Sequence, residues 1–141
     1  MIKLFADGAD MEGIIAAAHN PSVTGFTTNP TLMRRAGVTN YLEFARHLTE
    51  IVNPLPLSLE VFADEDEIIF EQALTLSRLY NNLFVKLPVS TTKGNSLSLL
   101  AKRLNAEGVK LNITAIMTNN QVLDFARQLD KSIPTVVQSF Q

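Results

Sequence analysis

The 141-residue sequence contains no cysteine, which excludes disulfides, thiolate chemistry and cysteine metal sites. No apolar run approaches the roughly 18 residues that a membrane-spanning helix needs. The net charge of −2 provides no basic surface for nucleic acid or for an anionic membrane. The first residues carry one lysine followed by acids, without a signal-peptide pattern. We therefore expect a cytoplasmic protein with neither a nucleic-acid nor a membrane partner.

Two nucleotide-binding motifs are also missing. The turn at Ala6–Asp10, after the first predicted strand, lacks the glycine fingerprint of dinucleotide-binding folds. No phosphate-loop motif occurs elsewhere in the sequence. The sequence therefore gives no reason to expect a nucleotide cofactor.

The sequence does contain enough apolar material for one buried core. Hydrophobic residues make up 46% of the chain and charged residues 18%, a balance that argues against disorder. A chain of this length is at most one ordinary domain. We expect a single domain over residues 1–141.

Short apolar runs alternate with helical patterns along the chain, with a repeat of about 25 residues. Strands are predicted at 2–6, 23–28, 57–63, 83–87, 111–116 and from 134 onward. The main helices are predicted at 11–19, 40–52, 64–80, 91–106 and 119–129. This alternation indicates parallel α/β units, in either a doubly wound sheet or a (β/α)8 barrel.

Lys86 is the one charged residue in the otherwise apolar run Leu83–Pro88. Such a run is typical of a buried parallel strand, where a charged amine is costly unless it is paired or loses its proton. Burial also makes a lysine nucleophilic, because it lowers the pKa of the amine. The alternative for a single lysine is that its side chain reaches water at the strand end.

Polar side chains stand at the carboxyl ends of the first five predicted strands. Each alone has an ordinary explanation, such as a turn for Asp7, a helix cap for Asn29 or a half-exposed strand for Glu60. In a parallel α/β fold, however, these ends face one mouth, where ligands bind. Together they suit a lysine that forms an imine, which needs a proton shuttle and donors for substrate hydroxyls. The set is Asp7, Thr27, Thr28, Asn29, Glu60, Lys86, Asn112 and Thr114.

Three motifs resemble those of one enzyme family. The segment Gly25–Thr31 is similar to the G-x-T-T-N-P-[ST] signature of the transaldolase and fructose-6-phosphate aldolase family. Val85–Pro88 resembles that family's V-K-[IL]-P lysine strand, and Leu111–Thr114 resembles its N-x-T motif. The resemblance extends from the strand of Asp7 to Val137, and three motifs in the family's order make it specific.

The resemblance implies an incomplete (β/α)8 barrel of the class I aldolase type, with no metal and no cofactor. Lys86 would form a Schiff base with a ketose carbonyl, and Asp7 would assist proton transfer at the C–C bond that breaks. Glu60 and Thr114 would hold a catalytic water. The residues that would bind substrate hydroxyls are Asn29 and Asn112, with Thr27 in support.

Glu60 favours one branch of the family, since the aldolase-type members carry glutamine at this position. We therefore expect a transaldolase, a transferase of the pentose phosphate pathway that moves a dihydroxyacetone unit from a ketose phosphate to an aldose phosphate. One alternative is a lyase of the fructose-6-phosphate aldolase type. Another is a non-catalytic α/β fragment that binds a sugar or a partner chain.

The family barrel has eight strands and roughly 200 residues or more, whereas this sequence supplies five β/α units and the start of a sixth strand. The residues Gln138–Gln141 also depart from the family pattern, in which a serine, an aromatic residue and Gly-Arg follow. We expect a C-terminally truncated chain, from a frameshift or a shortened reading frame, with weak or no activity. Its exposed sheet edges would favour aggregation or homo-oligomers.

Three other charged motifs give weaker signals. His19 and His47 lack metal-ligand partners at suitable spacing and are predicted at the surface or at caps. The acidic run Asp64–Glu67 is explained by favourable charge at a helix start. The pair Arg34-Arg35 lies near a strand end where a phosphate could bind, although a solvated pair is the more common arrangement.

Overall fold

The computed structural model describes residues 2–139, as one parallel sheet of six strands that alternate with helices. The strands are β1 Phe5–Asp7, β2 Gly25–Thr27, β3 Leu57–Glu60, β4 Leu83–Pro88, β5 Lys110–Ile116 and β6 Thr135–Ser139. The helices are α1 Met11–Ala18, α2 Pro30–Arg35, α3 Tyr41–Val52, α4 Asp66–Ser77, α5 Ser98–Ala106 and α6 Asn119–Gln128. Phe140 and Gln141, part of the segment that departs from the family pattern, lie outside the described residues.

The strand order is β1-β2-β3-β4-β5-β6, and every neighbouring pair is parallel. A doubly wound sheet reverses its strand order at a switch point, and this order has no reversal. The sheet instead curls into a half-barrel, which confirms the prediction of an incomplete (β/α)8 barrel. Within residues 2–139, β1 and β6 each pair with one neighbour only, so both edges of the sheet are open.

The two faces of the sheet differ because successive side chains of a strand point to opposite sides. On the helix-covered face, Leu59, Val85 and Ile113 are fully buried. The residues that alternate with them, such as Glu60 and Lys86, therefore point to the concave face. The hydrophobic core lies between sheet and helices, while the polar residues line the inside of the half-barrel.

Side-chain caps fix where most helices begin. The Asp10 side chain accepts a hydrogen bond from the Gly13 amide and caps α1. Asn40 caps α3 in the same way, and Thr118 forms a capping box with Gln121 at α6. None of the helices in the described part of the chain is long and apolar enough to cross a membrane.

The predicted helix at 91–106 is wrong over its first seven residues, because α5 begins at Ser98. The preceding segment turns back on itself through an isolated bridge between Ser90 and Ser96, with Gly94 at φ +84°. Thr92 in this loop donates two hydrogen bonds to Asp64, one from its amide at 2.7 Å and one from its hydroxyl. Asp64 thus connects the loops after β3 and β4, and it does not form part of a helix.

The two histidines lie at the surface, as predicted. His19 follows the last residue of α1, where its Nδ1 is 2.8 Å from the carbonyl oxygen of Ile15. His47 is exposed on α3. In the described residues, no group of three or more histidine, aspartate or glutamate side chains is arranged to hold a metal ion.

Candidate active site

Strand register brings the polar residues together at the carboxyl end of the sheet. Lys86 on β4 is aligned with Glu60 on β3 and with Asn112 on β5. At the first two strands, Asp7 is aligned with Thr27. Because side chains at aligned positions point to the same face, all five face the inside of the half-barrel.

The Lys86 side chain is largely buried. The residue is only 9% exposed, although it carries an amine on a face that is otherwise open to the mouth. Among residues 2–139 the only salt bridge joins Arg103 to Glu67, so Lys86 has no carboxylate partner. A lysine packed this closely without a carboxylate partner is typical of a functional position rather than a structural one.

Glu60 is half-buried next to Lys86. Burial raises the pKa of its carboxyl group above the ordinary value, the positive charge of Lys86 opposes this rise, and the negative charge of Asp7 adds to it. Lys86 and Asp7 therefore both lie close enough to Glu60 for their charges to change the pKa of its carboxyl group. Glu60 therefore retains a proton to higher pH than an ordinary glutamate, as a group that exchanges protons with a substrate needs to do.

Tyr41, at the start of α3, holds the end of β3 in place. Its hydroxyl donates a hydrogen bond of 2.8 Å to the backbone carbonyl oxygen of Glu60. Burial raises the pKa of Tyr41, with a further rise from the Glu60 carboxylate, so the hydroxyl keeps its proton as a donor. Sequence reasoning missed Tyr41, because nothing local to α3 indicates a bond to a strand 19 residues further along.

Asn112 presents an acceptor that nothing in the described chain uses. The residue is 3% exposed, and its Nδ2 donates to Ser58 Oγ at 3.2 Å. Its Oδ1 is buried without a hydrogen-bond partner. A buried acceptor left open costs free energy unless a ligand or a water binds it. Asn112 is therefore suited to accept a hydrogen bond from a substrate hydroxyl.

The Asp7 carboxylate is held at the opposite side of the site. Thr27 donates its hydroxyl to Asp7 Oδ1 at 2.9 Å, so Thr27 orients the acid. The Phe5 ring lies over Gly25, where a β-carbon would come within 2.3 Å of a ring atom, so glycine is required at that position. Asp7 itself is exposed at the mouth, where it is accessible to a ligand.

Asn29 is a helix cap, the ordinary explanation that its sequence context offered. Its Oδ1 accepts a hydrogen bond of 3.0 Å from the Leu32 amide at the start of α2. The amide nitrogen of its side chain is not used by this cap. The predicted role of Asn29 in binding a substrate hydroxyl would therefore use that nitrogen as the donor.

Thr114 precedes a distortion of β5. The register between β5 and β6 shifts between Ile113 and Ile116, and Ala115 has φ +60°, a left-handed conformation that is rare for a residue with a side chain. Bulges of this kind occur next to active sites, where they redirect a side chain. The bulge begins directly after Thr114, which is aligned with Pro88 two residues beyond Lys86.

The sequence matches the model of the family Transaldolase/Fructose-6-phosphate aldolase over residues 4–140. This chain belongs to that family. Curated proteins of the family named "Probable transaldolase" are similar throughout most of the chain. One from Thermoanaerobacter sp. (strain X514) is 33% identical over 126 residues, which is 89% of this chain and 56% of the relative. One from Bartonella henselae is 36% identical over 122 residues, 86% of this chain and 54% of the relative.

The family members differ from this chain in length. A third similar protein, the probable transaldolase of Clostridium botulinum (strain Loch Maree / Type A3), is 34% identical, and the match covers 55% of it. The chain thus spans about half the length of the curated relatives it matches. The seven residues to which the resemblance assigns a role lie within residues 4–140, on the first five strands or within two residues of a strand end.

Replacing Glu60 with glutamine tests the electrostatics of the site. The folded-state pKa of Glu60 is raised, so its contribution to stability is fully present below about pH 4.3, the ordinary value for glutamate, and is lost as pH rises through the folded pKa. Glu60→Gln cannot ionise, so it should gain stability relative to the unmodified protein between about pH 4 and pH 7. Urea unfolding midpoints of both proteins at the two pH values measure this gain.

A matched control is Glu50→Gln, because Glu50 is exposed on α3. Glu60→Gln should show the pH-dependent gain and Glu50→Gln should not. A difference between Glu60→Gln and the unmodified protein that stays constant or shrinks with rising pH would contradict the raised pKa.

Proposed function

We propose that this protein is a transaldolase, in which Lys86 forms a Schiff base with a ketose phosphate and a dihydroxyacetone unit passes to an aldose phosphate. The observation that carries the proposal is the burial of the Lys86 side chain in register with Glu60 and Asn112, without a salt bridge in the described chain. Membership of the family and the names of the similar proteins support it. With such substrates the activity belongs to the pentose phosphate pathway, and we expect it in the cytoplasm.

In the first step, the lone pair of the Lys86 amine attacks the ketose carbonyl carbon and forms a carbinolamine. The former carbonyl oxygen then takes a proton and leaves as water, which gives the imine. Glu60 is suited to supply this proton, because its raised pKa lets the carboxyl group hold a proton to higher pH than an ordinary glutamate does. The Thr114 hydroxyl would hold the water that leaves and later returns.

In the second step, Asp7 takes the proton from the hydroxyl on the far carbon of the C–C bond that breaks, the carbon that becomes the aldehyde. The C–C bond then breaks, its electron pair moves toward the protonated imine nitrogen, and an aldehyde leaves an enamine on Lys86. The acceptor aldehyde reverses this step when the enamine carbon attacks its carbonyl and Asp7 returns the proton. Thr27 supports Asp7 in this role, since its hydroxyl holds one carboxylate oxygen at 2.9 Å.

Two amides would hold the substrate during both steps. The open Oδ1 of Asn112 accepts from a hydroxyl near the reacting carbon, and the Asn29 side-chain nitrogen donates to another. Water then adds to the imine, with Glu60 as the base, and releases the product ketose. No metal ion or cofactor takes part in this proposed sequence.

Borohydride reduction in the presence of dihydroxyacetone tests the proposal, because borohydride converts a lysine imine into a stable secondary amine. A covalent adduct on the intact protein, absent without dihydroxyacetone, is the expected result. Intact-mass measurement detects it directly. Failure to form an adduct under conditions where the protein is folded would contradict the imine mechanism.

A further inference from the structure

The hydrogen-bond ladder between β2 and β3 stops one bond short of Glu60. In this ladder the Phe26 amide donates to the Pro56 carbonyl oxygen at 2.8 Å. The Thr28 amide donates in the same way to Ser58 at 3.3 Å. Alternate residues donate in a parallel ladder, so the next bond would join residue 30 to Glu60. Residue 30 is proline, which has no amide hydrogen, and the Glu60 carbonyl oxygen therefore lacks its donor from β2.

The Tyr41 hydroxyl supplies the missing donor. It reaches the Glu60 carbonyl oxygen at 2.8 Å from the first residue of α3. The bond to the other neighbouring strand is weak at this point, since the Val61 amide lies 3.4 Å from the Lys86 carbonyl oxygen. The Phe62 ring meets the Tyr41 ring at 77° with 4.5 Å between centroids, which fixes the tyrosine side chain. Tyr41 thus holds Glu60 where the bonds to both neighbouring strands are missing or long.

This bond lies at the mouth of the half-barrel. Tyr41 and Glu60 both line a cavity of about 710 Å³ there. Its other walls come from α2 and from the loops after β3 and β4. A volume of this size is typical of small-molecule sites, which range from roughly 300 to 1,000 Å³. The tyrosine therefore holds the strand end at a place that a ligand can reach.

The Glu60 carboxyl group depends on its backbone for its position. The register of β3 and β4 aligns Glu60 with Lys86. No salt bridge holds the carboxylate within residues 2–139, where the only ion pair joins Arg103 to Glu67. A shift of the strand end would therefore move the carboxyl group away from Lys86 and toward water.

We propose that Tyr41 is a positioning residue for the proton transfer at Lys86, because its hydroxyl holds the end of β3 so that the Glu60 carboxyl group faces the amine. This inference rests on the proposed function, in which Glu60 protonates the oxygen that leaves the carbinolamine as water. The Tyr41 hydroxyl donates its proton to a backbone carbonyl oxygen. Tyr41 therefore acts through Glu60 and not on the substrate.

Tyr80 provides a matched control, as the second of the two tyrosines in the sequence. Both side chains are half-buried, and each donates its hydroxyl to a backbone carbonyl oxygen, at 2.8 Å for Tyr41 and 2.9 Å for Tyr80. The acceptor of Tyr80 is Leu55, two residues before β3 begins and thus at the opposite end of the strand. Tyr41→Phe and Tyr80→Phe each remove one such bond, so a loss of stability alone would affect both alike.

The first test measures the rate of imine formation, from the adduct that borohydride traps at successive times after dihydroxyacetone is added. We expect Tyr41→Phe to slow this rate about tenfold or more, a part of the roughly 10²–10⁴-fold that general acid–base catalysis contributes. Tyr80→Phe should stay within about twofold of the unmodified protein, because it touches no group that transfers the proton. In a Glu60→Gln background, Tyr41→Phe should slow the rate by less than about twofold, since the group that it positions can no longer donate a proton.

The pKa of the Glu60 carboxyl group gives a second readout that needs no imine. NMR titration of the labelled side-chain carboxyl carbon should show a lower pKa in Tyr41→Phe than in the unmodified protein, because the displaced group is better solvated. Tyr80→Phe should leave this pKa unchanged. The charged groups that act on Glu60 or share its cavity stay the same in both variants; they are Lys86, Asp7, Arg34 and Asp64.

Four results would overturn the proposal: an unchanged rate in Tyr41→Phe, equal slowing in the two tyrosine variants, equal slowing by Tyr41→Phe with and without Glu60, or an unchanged Glu60 pKa in Tyr41→Phe. Equal slowing would indicate a structural role alone. A failure of the proposed function is distinct, because it removes the adduct from the unmodified protein as well. The NMR titration then still decides whether Tyr41 positions Glu60.

Discussion

Lys86→Ala is expected to abolish the borohydride-dependent adduct with dihydroxyacetone. The substitution removes the amine that forms the imine, and Lys110, the other lysine on this face of the described strands, lies at the opposite end of β5. Any transfer of the dihydroxyacetone unit should fall by about 10⁴-fold or more, as for other enzymes that lose their nucleophile. Intact-mass spectra after reduction, together with a transfer assay, measure both effects.

Two further variants make this prediction specific. Lys86→Met keeps an unbranched side chain of similar length in the buried position and should lose the adduct as completely as Lys86→Ala. Lys110→Ala should keep it, because Lys110 begins β5 at the opposite end of the strand, where its Nζ donates to the Asn81 carbonyl oxygen at 2.8 Å. An adduct that survives in Lys86→Met, or that disappears only in Lys110→Ala, would assign the imine to another lysine.

Leu104→Ala is expected to destabilise the fold by about 2–5 kcal/mol, the range for removing a fully buried leucine side chain. Leu104 lies on the inner side of α5 with 0% exposure, in the core between helices and sheet. The lost contacts and the cavity left behind both contribute to this effect. Urea unfolding monitored by circular dichroism gives the change in the free energy of unfolding.

Leu99→Ala is the matched control on the same helix, because Leu99 is 65% exposed. The chemical change and the helix propensities are identical, so the two variants differ in burial alone. Leu99→Ala should change the free energy of unfolding by no more than about 0.5 kcal/mol. Equal effects of the two substitutions would contradict the packing of α5 against the sheet.

Most of the architecture follows from local sequence patterns. The alternation of short apolar runs with helical periodicity predicts all six strands, and the helix predicted at 40–52 matches α3 to within one residue. The placement of Lys86 in an apolar run predicts its burial, because such a run is typical of a parallel strand that is buried on both faces. The choice of a barrel over a doubly wound sheet depended on the family resemblance, since both folds share the same local pattern.

Other features depend on contacts between distant residues and could not be predicted. Nδ2 of Asn112 donates a hydrogen bond to Ser58, 54 positions earlier in the sequence. This bond fixes the side chain, whose Oδ1 is left without a hydrogen-bond partner. The acidic start of α4 concealed the role of Asp64, because a carboxylate before a helix is also typical of a favourable helix charge. Thr92 was predicted to lie in a helix. It lies in a loop instead, because its two hydrogen bonds to Asp64 hold it outside α5.

The candidate site likewise combines features that follow from local sequence patterns with features that depend on distant contacts. The register of β3, β4 and β5 aligns Glu60, Lys86 and Asn112, and this follows once the strands are parallel and in chain order. The cavity beside Glu60 does not follow from the strands, because its walls are loops and α2. Arg34 was therefore interpreted from the sequence as half of a solvated pair. Its difference from Arg35 emerges only when the two side chains are placed on different sides of α2.

The most direct test of the central claim is to locate the reduced adduct by peptide mass spectrometry. The intact chain is incubated with dihydroxyacetone, reduced with borohydride and digested, and the modified peptide is sequenced. We predict modification at the lysine of Leu83–Pro88 and at no other lysine of the chain. Modification spread over exposed lysines such as Lys93 and Lys102, with Lys86 unmodified, would contradict the account.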